Sequence, residues 1–417
     1  MPDEAGTPIW EQRFRAASQT FPHWSPFAPD RLVYTSDEEG SFQAYGWDRA
    51  GGDRRRLSDE PVGVDWATVS ADGSEVVWFS DPTGDESGRW IAVPFMGGPW
   101  RDVLPGAPVG WPSGLSVGRE LTMAVIADRR GFALYVSERG GPARELLRSP
   151  DHVSTGENDY QVEGRDQVGL SPDETLVCVE LAQDGDNIHR MLRVLDPRSG
   201  AVVGDLADGP GLGVSAFAWS PVPGDQRLLI GHEREDHLRP AIWDPTTGER
   251  RDLAVDLPGE AIPVDWWPDA GAILLCHLFR GRDRLYRLDL GTGALTEIPH
   301  PPGEILGAGV RPEGSVWLRV ASSDRASRVL DDGGREVLPT PGGLRDGRPC
   351  REWLFRNPAG VTIHGWLVAP EGPGPFPVYL KVHGGPDWLY LDTWWPDVQL
   401  LVDHGVAVAM VNYRGSI

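Results

Sequence analysis

SADGSEVVWFSD, residues 70–81, and SPDETLVCVELA, residues 171–182, are built alike. Each opens on a Ser-x-Asp turn and runs into a segment of β-branched and apolar residues, the kind that packs on a pleated surface. The same order recurs between Phe21 and Gly342. Polar turns start at Ser25, Ser70, Ser116, Ser171, Ser220, Pro268 and Arg311, and each leads into an apolar strand such as RLVYTSD, RELTMAVIAD or AILLCHLF. A second strand follows in every unit, including AYGWD, WIAVPF and LYRLDL, and closes on a hairpin turn at Gly52, Gly98, Gly141, Gly200, Gly248, Gly293 or Gly334. Successive glycines lie 46, 43, 59, 48, 45 and 41 residues apart, the period of a four-stranded propeller blade. Seven units predict a mainly β chain with a seven-bladed β-propeller over residues 21–342. A pair of Greek-key sandwiches would also supply short strands, but not this fixed recurrence of turn types.

The long interval is explained by a polar insertion, HVSTGENDYQVEGRD, residues 152–166. It reads as a loop on one rim whose plainest role is surface decoration, with substrate contact or gating as the alternative. GLSVG, residues 114–118, matches a nucleophile-elbow pattern, but that pattern works only where a strand turns sharply into a helix. Ser116 instead falls among the turn serines and precedes a strand, so it is rejected as a nucleophile. Two acidic stretches with histidine, QDGDNIH and HEREDHLR, lack the Ca²⁺-loop pattern and the helical i, i+4 histidine pair, and read as solvated hairpin tips. No metal and no cofactor are expected.

Composition narrows the partners. A net charge of −23 offers little field to a phosphate backbone or an anionic lipid surface, so neither nucleic acid nor membrane is an expected partner. Cys178, Cys276 and Cys350 are odd in number and far apart, and read as buried thiols of a reducing compartment. MPDEAGTPIWEQRF has neither a basic nor an apolar leader segment, and the localisation expected is cytoplasmic. Lys381 is the only lysine in the chain; codon bias accounts for that, and no chemistry is drawn from it.

After residue 342 the grammar changes. EWLFRNPAGVTIHGWLVAP reads as two strands joined by an NPAG turn, EGPGPFP as a hinge, and VYLKV as a short strand of the type buried inside an α/β sheet. WWPDVQLLVDHG has helical spacing with Val398, Leu401 and Val402 on one face and a cap at His404 and Gly405. VAVAMVNYRGS is a further buried strand ending in a loop.

Strand, HGGP loop, helix, strand, NYRGS loop is a specific order, and with it the chain resembles the prolyl oligopeptidase family of serine peptidases, particularly its acylaminoacyl-peptidase and dipeptidyl-peptidase-like branches. The resemblance implies three parts: an N-terminal segment (1–20), the propeller (21–342) and the incomplete start of an α/β-hydrolase domain (343–417). It implies a peptide substrate and an acyl-enzyme, with the propeller limiting access. Gly385, or secondarily Gly384, becomes an oxyanion-hole N–H donor, because glycine lets the backbone approach the developing oxyanion closely. His383, Asn412 and Arg414 become loop supports; Trp388 and Tyr390 line the substrate cleft or simply pack. The triad is expected beyond Ile417, so this chain alone should be inactive, and the 417 residues are expected to be the N-terminal part of a longer peptidase. Self-association stays open. The competing reading is a non-catalytic propeller used as a binding scaffold; a pure scaffold has no use for HGGP and NYRGS in this order.

Overall fold

The computed structural model describes residues 7–155, 162–163, 168–342, 344–385 and 388–416. Among these, residues 23–338 form seven successive four-stranded antiparallel sheets, each with its strands in chain order. The architecture is mainly β and propeller-like. In every sheet the second and third strands are the apolar segments singled out by the sequence, for example Glu75–Ser80 with Arg89–Pro94 and Ala272–Phe279 with Arg282–Asp289. First strands are mostly buried, as in His23–Ser25 and Glu260–Trp266, whereas last strands such as Asp53–Arg56 and Arg250–Asp252 carry charge outward. This gradient places the first strands on the axis of the array.

The turns explain the recurrence. Ser70 donates its hydroxyl to Asp72 (2.8 Å) and accepts the Glu75 N–H (2.9 Å), and Ser171 does the same with Asp173 (2.7 Å) and Leu176 (3.0 Å). In both turns a single serine thereby closes the connection between first and second strands. Ser116 does not belong to that set. It lies within the first strand Trp111–Val117, opposite Met123, and the turn position equivalent to Ser70 is Gly118, whose N–H reaches the Leu121 carbonyl at 2.8 Å. The rejection of Ser116 is unchanged, but the reason is corrected: it sits in a paired strand two residues before the turn. The hairpin glycines Gly52, Gly200, Gly248, Gly293 and Gly334 have φ between 73° and 76°, which only glycine adopts without cost.

The seventh sheet packs on the first. The guanidinium of buried Arg311 lies 4.5 Å from the rings of both Trp24 and Trp317, and its Nη2 donates to the Pro29 carbonyl at 2.7 Å. Phe21, Leu32 and Tyr34 share this core with Val329 and Leu338. Much of the 152–166 insertion, residues 156–161 and 164–166, lies outside the described residues. What is described is not rim decoration: Val153–Ser154 is the first strand of the fourth sheet, and Glu163 forms a parallel bridge with Gly307 on the first strand of the seventh. Glu163 also accepts the Phe21 N–H (2.7 Å) and pairs with Arg319 (2.9 Å). The rejected acidic stretches are hairpins between second and third strands, with Asp184 and Asp236 at positive φ. All three cysteines are free and buried.

An eighth sheet follows, ordered Arg351–Arg356, Thr362–Val368, Ala407–Asn412, Val378–Val382. Its last two strands run parallel and are connected through the helix Pro396–Asp403. The helix buries Val398 and Val402 on the expected face, Gly405 follows at φ 82°, and a buried Gln399 joins that face unexpectedly. The N-terminal helix Ile9–Phe14 returns to it: buried Arg13 donates to Gln399 Oε1 at 2.8 Å and pairs with Asp403 at 3.3 Å. One expectation fails. Val378–Val382 is an edge strand, with Val378 62% and Val382 58% exposed, because among the described residues only Ala407–Asn412 pairs with it and the face carrying Val378, Leu380 and Val382 is left open. Among the described residues no helix is long and apolar enough to cross a membrane.

Candidate active site

The two loops noted in the sequence leave the carboxyl ends of neighbouring parallel strands, Val378–Val382 and Ala407–Asn412. Their register, Val382 opposite Val411, brings the loops side by side. His383 is buried between them. Its ring stacks on Tyr413 at 4.3 Å and meets Trp388 and Tyr390 edge-on, and the Tyr413 hydroxyl donates to the His383 carbonyl at 3.3 Å. Nδ1 lies 3.0 Å from the Gly384 carbonyl and Nε2 lies 2.8 Å from the Ser416 hydroxyl. A carbonyl only accepts, so Nδ1 carries a proton, and in that tautomer Nε2 is the nitrogen that meets the Ser416 hydroxyl.

Gly384 and Gly385 are exposed, and neither N–H donates to a described residue. Gly385 has φ 51°, a left-handed conformation that disfavours most side chains, whereas a Cβ at Gly384 would meet nothing within 4 Å. Pro386 of the HGGP motif lies outside the described residues. Asn412 is buried and grips the far end of this loop: its Oδ1 accepts the Tyr390 N–H at 2.6 Å, and its Nδ2 reaches the Tyr390 carbonyl and His364 Nδ1, both at 3.0 Å. Tyr390 is 2% exposed and belongs to the core under the sheet, with burial pushing its hydroxyl up to about 12. Trp388 is half-buried against Trp395 and Tyr390. Arg414 is exposed and makes no hydrogen bond or ion pair with a described residue.

Several supports lie outside the site residues expected from the sequence. Tyr413 is the platform under His383. Lys381 extends to Asp397 at the start of the helix (2.6 Å) and lies 4.7 Å over Trp395, tying strand to helix. Asp392 anchors the loop to the array, accepting from Arg282 (2.9 Å), the Ser323 N–H (3.0 Å) and the Cys350 thiol (3.1 Å). Gly281, at the hairpin tip of the sixth sheet, accepts the Asp392 N–H at 2.8 Å, and a Cβ there would strike the Tyr390 carbonyl at 2.7 Å. That close approach is the one signal a sequence reader had, an Arg-Gly hairpin tip.

Comparison with solved structures matches this arrangement over nearly the whole chain. A prolyl endopeptidase superposes with a TM-score of 0.74 over 98% of this chain and 63% of its own, at 14% identity. This is the fold of the prolyl endopeptidases and acylaminoacyl peptidases. The acylaminoacyl peptidase of Pyrococcus horikoshii gives a TM-score of 0.70 at 16% identity, covering 98% of this chain and 66% of that one. This chain thus spans about two-thirds of the length of these enzymes. Among curated proteins, the uncharacterized peptidase YuxL of Bacillus subtilis strain 168 is 38% identical over 68 residues, 16% of this chain and 10% of that protein. No protein-family profile matches the chain.

Proposed function

We propose that this chain comprises the N-terminal segment (1–20), a seven-bladed propeller (21–342) and the opening part of an α/β-hydrolase domain (343–417) of a cytoplasmic serine peptidase of the prolyl oligopeptidase family, hydrolysing short peptides through an acyl-enzyme. The observation that carries this reading is the pairing of the 383–385 and 412–416 loops at the carboxyl ends of two parallel strands, where open α/β sheets bind ligands. There Gly384 and Gly385 are exposed, and neither N–H donates to a described residue.

Acyl transfer builds negative charge on the carbonyl oxygen of the substrate. A backbone N–H aimed at that oxygen lowers the barrier by roughly 3 kcal/mol, and Gly385 is the donor assigned here, with Gly384 second. His383, stacked on Tyr413, and Asn412, holding both backbone groups of Tyr390, keep the loop in place for that role. Trp388 borders the cleft. The nucleophile, acid and base are supplied by chain downstream of residue 417, in the order Ser, Asp, His, and the propeller admits only short peptides. The test is a fluorophosphonate probe with peptide and acyl-amino-acid p-nitroanilides on the full-length protein. Labelling at one serine beyond 417, with turnover, is expected; no labelling and no turnover would leave the scaffold reading in its place.

A further inference from the structure

The hydrolase-like sheet sits at the end of the array formed by turns between second and third strands, such as Gly281 and Ser323. At the other end, where first strands turn into second strands, the array encloses a cavity of about 450 Å³. This size suits a small-molecule ligand. Its wall comes from the first six sheets and includes the aromatic rings of Phe27, Trp66, Phe217 and Trp219.

All four carboxylates on that wall are already engaged, and Trp66 and Thr68 are lining side chains with a polar atom left over among the described residues. Glu174 accepts the N–H groups of Arg119 (2.6 Å), Glu120 (3.0 Å) and Leu121 (2.7 Å). Asp173 holds Ser171 and Gln226, Asp225 holds Ser220 and Arg227, and Asp265 accepts from Trp266 and Val310. Trp219 donates its indole N–H to the Gly169 carbonyl at 3.1 Å, and Ser116 accepts from Leu170. Arg119 lies over the Phe27 ring at 4.8 Å. An anion entering here meets four lining carboxylates, one of them paired with Arg227 behind the wall, against the single lining guanidinium of Arg119. A cation finds no uncommitted carboxylate to repay its lost hydration. What remains is mostly apolar and aromatic surface.

We propose that this cavity is a binding site for a neutral, aromatic-bearing small ligand about the size of a blocked dipeptide, remote from the 383–385 loop. The inference stands on the cavity itself and does not depend on the peptidase reading.

The test uses N-phenyl-1-naphthylamine, a neutral aromatic probe that brightens in apolar sites, titrated into the 417-residue chain. Saturable binding is expected, with the anionic 1-anilinonaphthalene-8-sulfonate at least about tenfold weaker at the same site, reflecting the four carboxylates. Ala218→Trp, which fills the cavity from the first strand of the fifth sheet, should remove one probe site per chain. Phe27→Ala, at an exposed turn, should weaken that site by about tenfold, the loss expected for an aromatic wall. An unchanged number of sites in folded A218W, or no saturable binding by the parent chain, overturns the proposal. Should A218W fail to fold, F27A decides alone: unchanged affinity there overturns it as well.

Discussion

His383 Nε2 lies 2.8 Å from the hydroxyl of Ser416, a histidine-serine contact inside the loop pair. It has the distance of a nucleophile and base. Yet Nδ1 is bound by the Gly384 carbonyl rather than a carboxylate, so among the described residues no carboxylate on that side stabilises an imidazolium. We predict that a fluorophosphonate probe leaves Ser416, and equally Ser116, unlabelled in this chain. Mass-spectrometric detection of an adduct at either serine would show that the chain carries its own nucleophile.

Gly385 can be tested as a donor only with its conformation controlled. Proline deletes the N–H but also forces φ near −65°, far from 51°. Asparagine keeps the N–H and tolerates positive φ. If the full-length protein has the proposed activity, Gly385→Pro should lower kcat by about a hundredfold or more, while Gly385→Asn keeps most of it. Equal losses in both variants would assign the effect to loop shape rather than to the N–H.

Gln399 is 1% exposed and makes four hydrogen bonds: to Arg13 and the Arg348 N–H through Oε1, and to the Ser323 and Arg348 carbonyls through Nε2. Truncation strands several buried partners at once. Gln399→Ala should destabilise by about 3 kcal/mol, seen as an earlier first transition in urea. An unshifted midpoint would mean that the N-terminal helix is not held through this residue.

Asp283 is buried and accepts the Ile305 N–H at 2.7 Å. Burial pushes its carboxyl up to about 8, the Ile305 bond opposes this, and neighbouring Glu304, itself raised by burial, adds to it. The native state therefore binds a proton that the unfolded chain, with an aspartate near pKa ~3.9, has released. This contribution to stability is fully present below about pH 4 and is lost as pH rises through about 8. Asp283→Asn should flatten the decline of the denaturation midpoint between pH 5 and 8. Identical slopes in parent and variant would rule out this carboxyl as its source.

What the chain displays locally, it displays clearly. The Ser-x-Asp turns, the apolar second and third strands and the glycine hairpins are set by neighbours within a few residues, so their period announces the sheet array. The first strands were harder to see because they are short or interrupted, as at Ala67–Val69 and in WPSGLSV, and are held by pairing rather than by their own pattern. That is why Ser116 looked like a turn residue.

The HGGP and NYRGS loops were likewise visible as motifs, and the parallel register of Val378–Val382 with Ala407–Asn412 is what brings them side by side at the carboxyl ends. Sequence alone could not bring Ser416 to His383, Glu163 to the edge of Gly307 or Gln399 between Arg13 and Ser323, because each contact joins segments separated by 33 to 386 residues. Such pairs depend on how whole sheets dock. The periodic turns and strands determined the array, since local backbone chemistry suffices for them; the tertiary structure decided which buried polar groups meet and left Val378–Val382 at an exposed edge, since only packing fixes those distances.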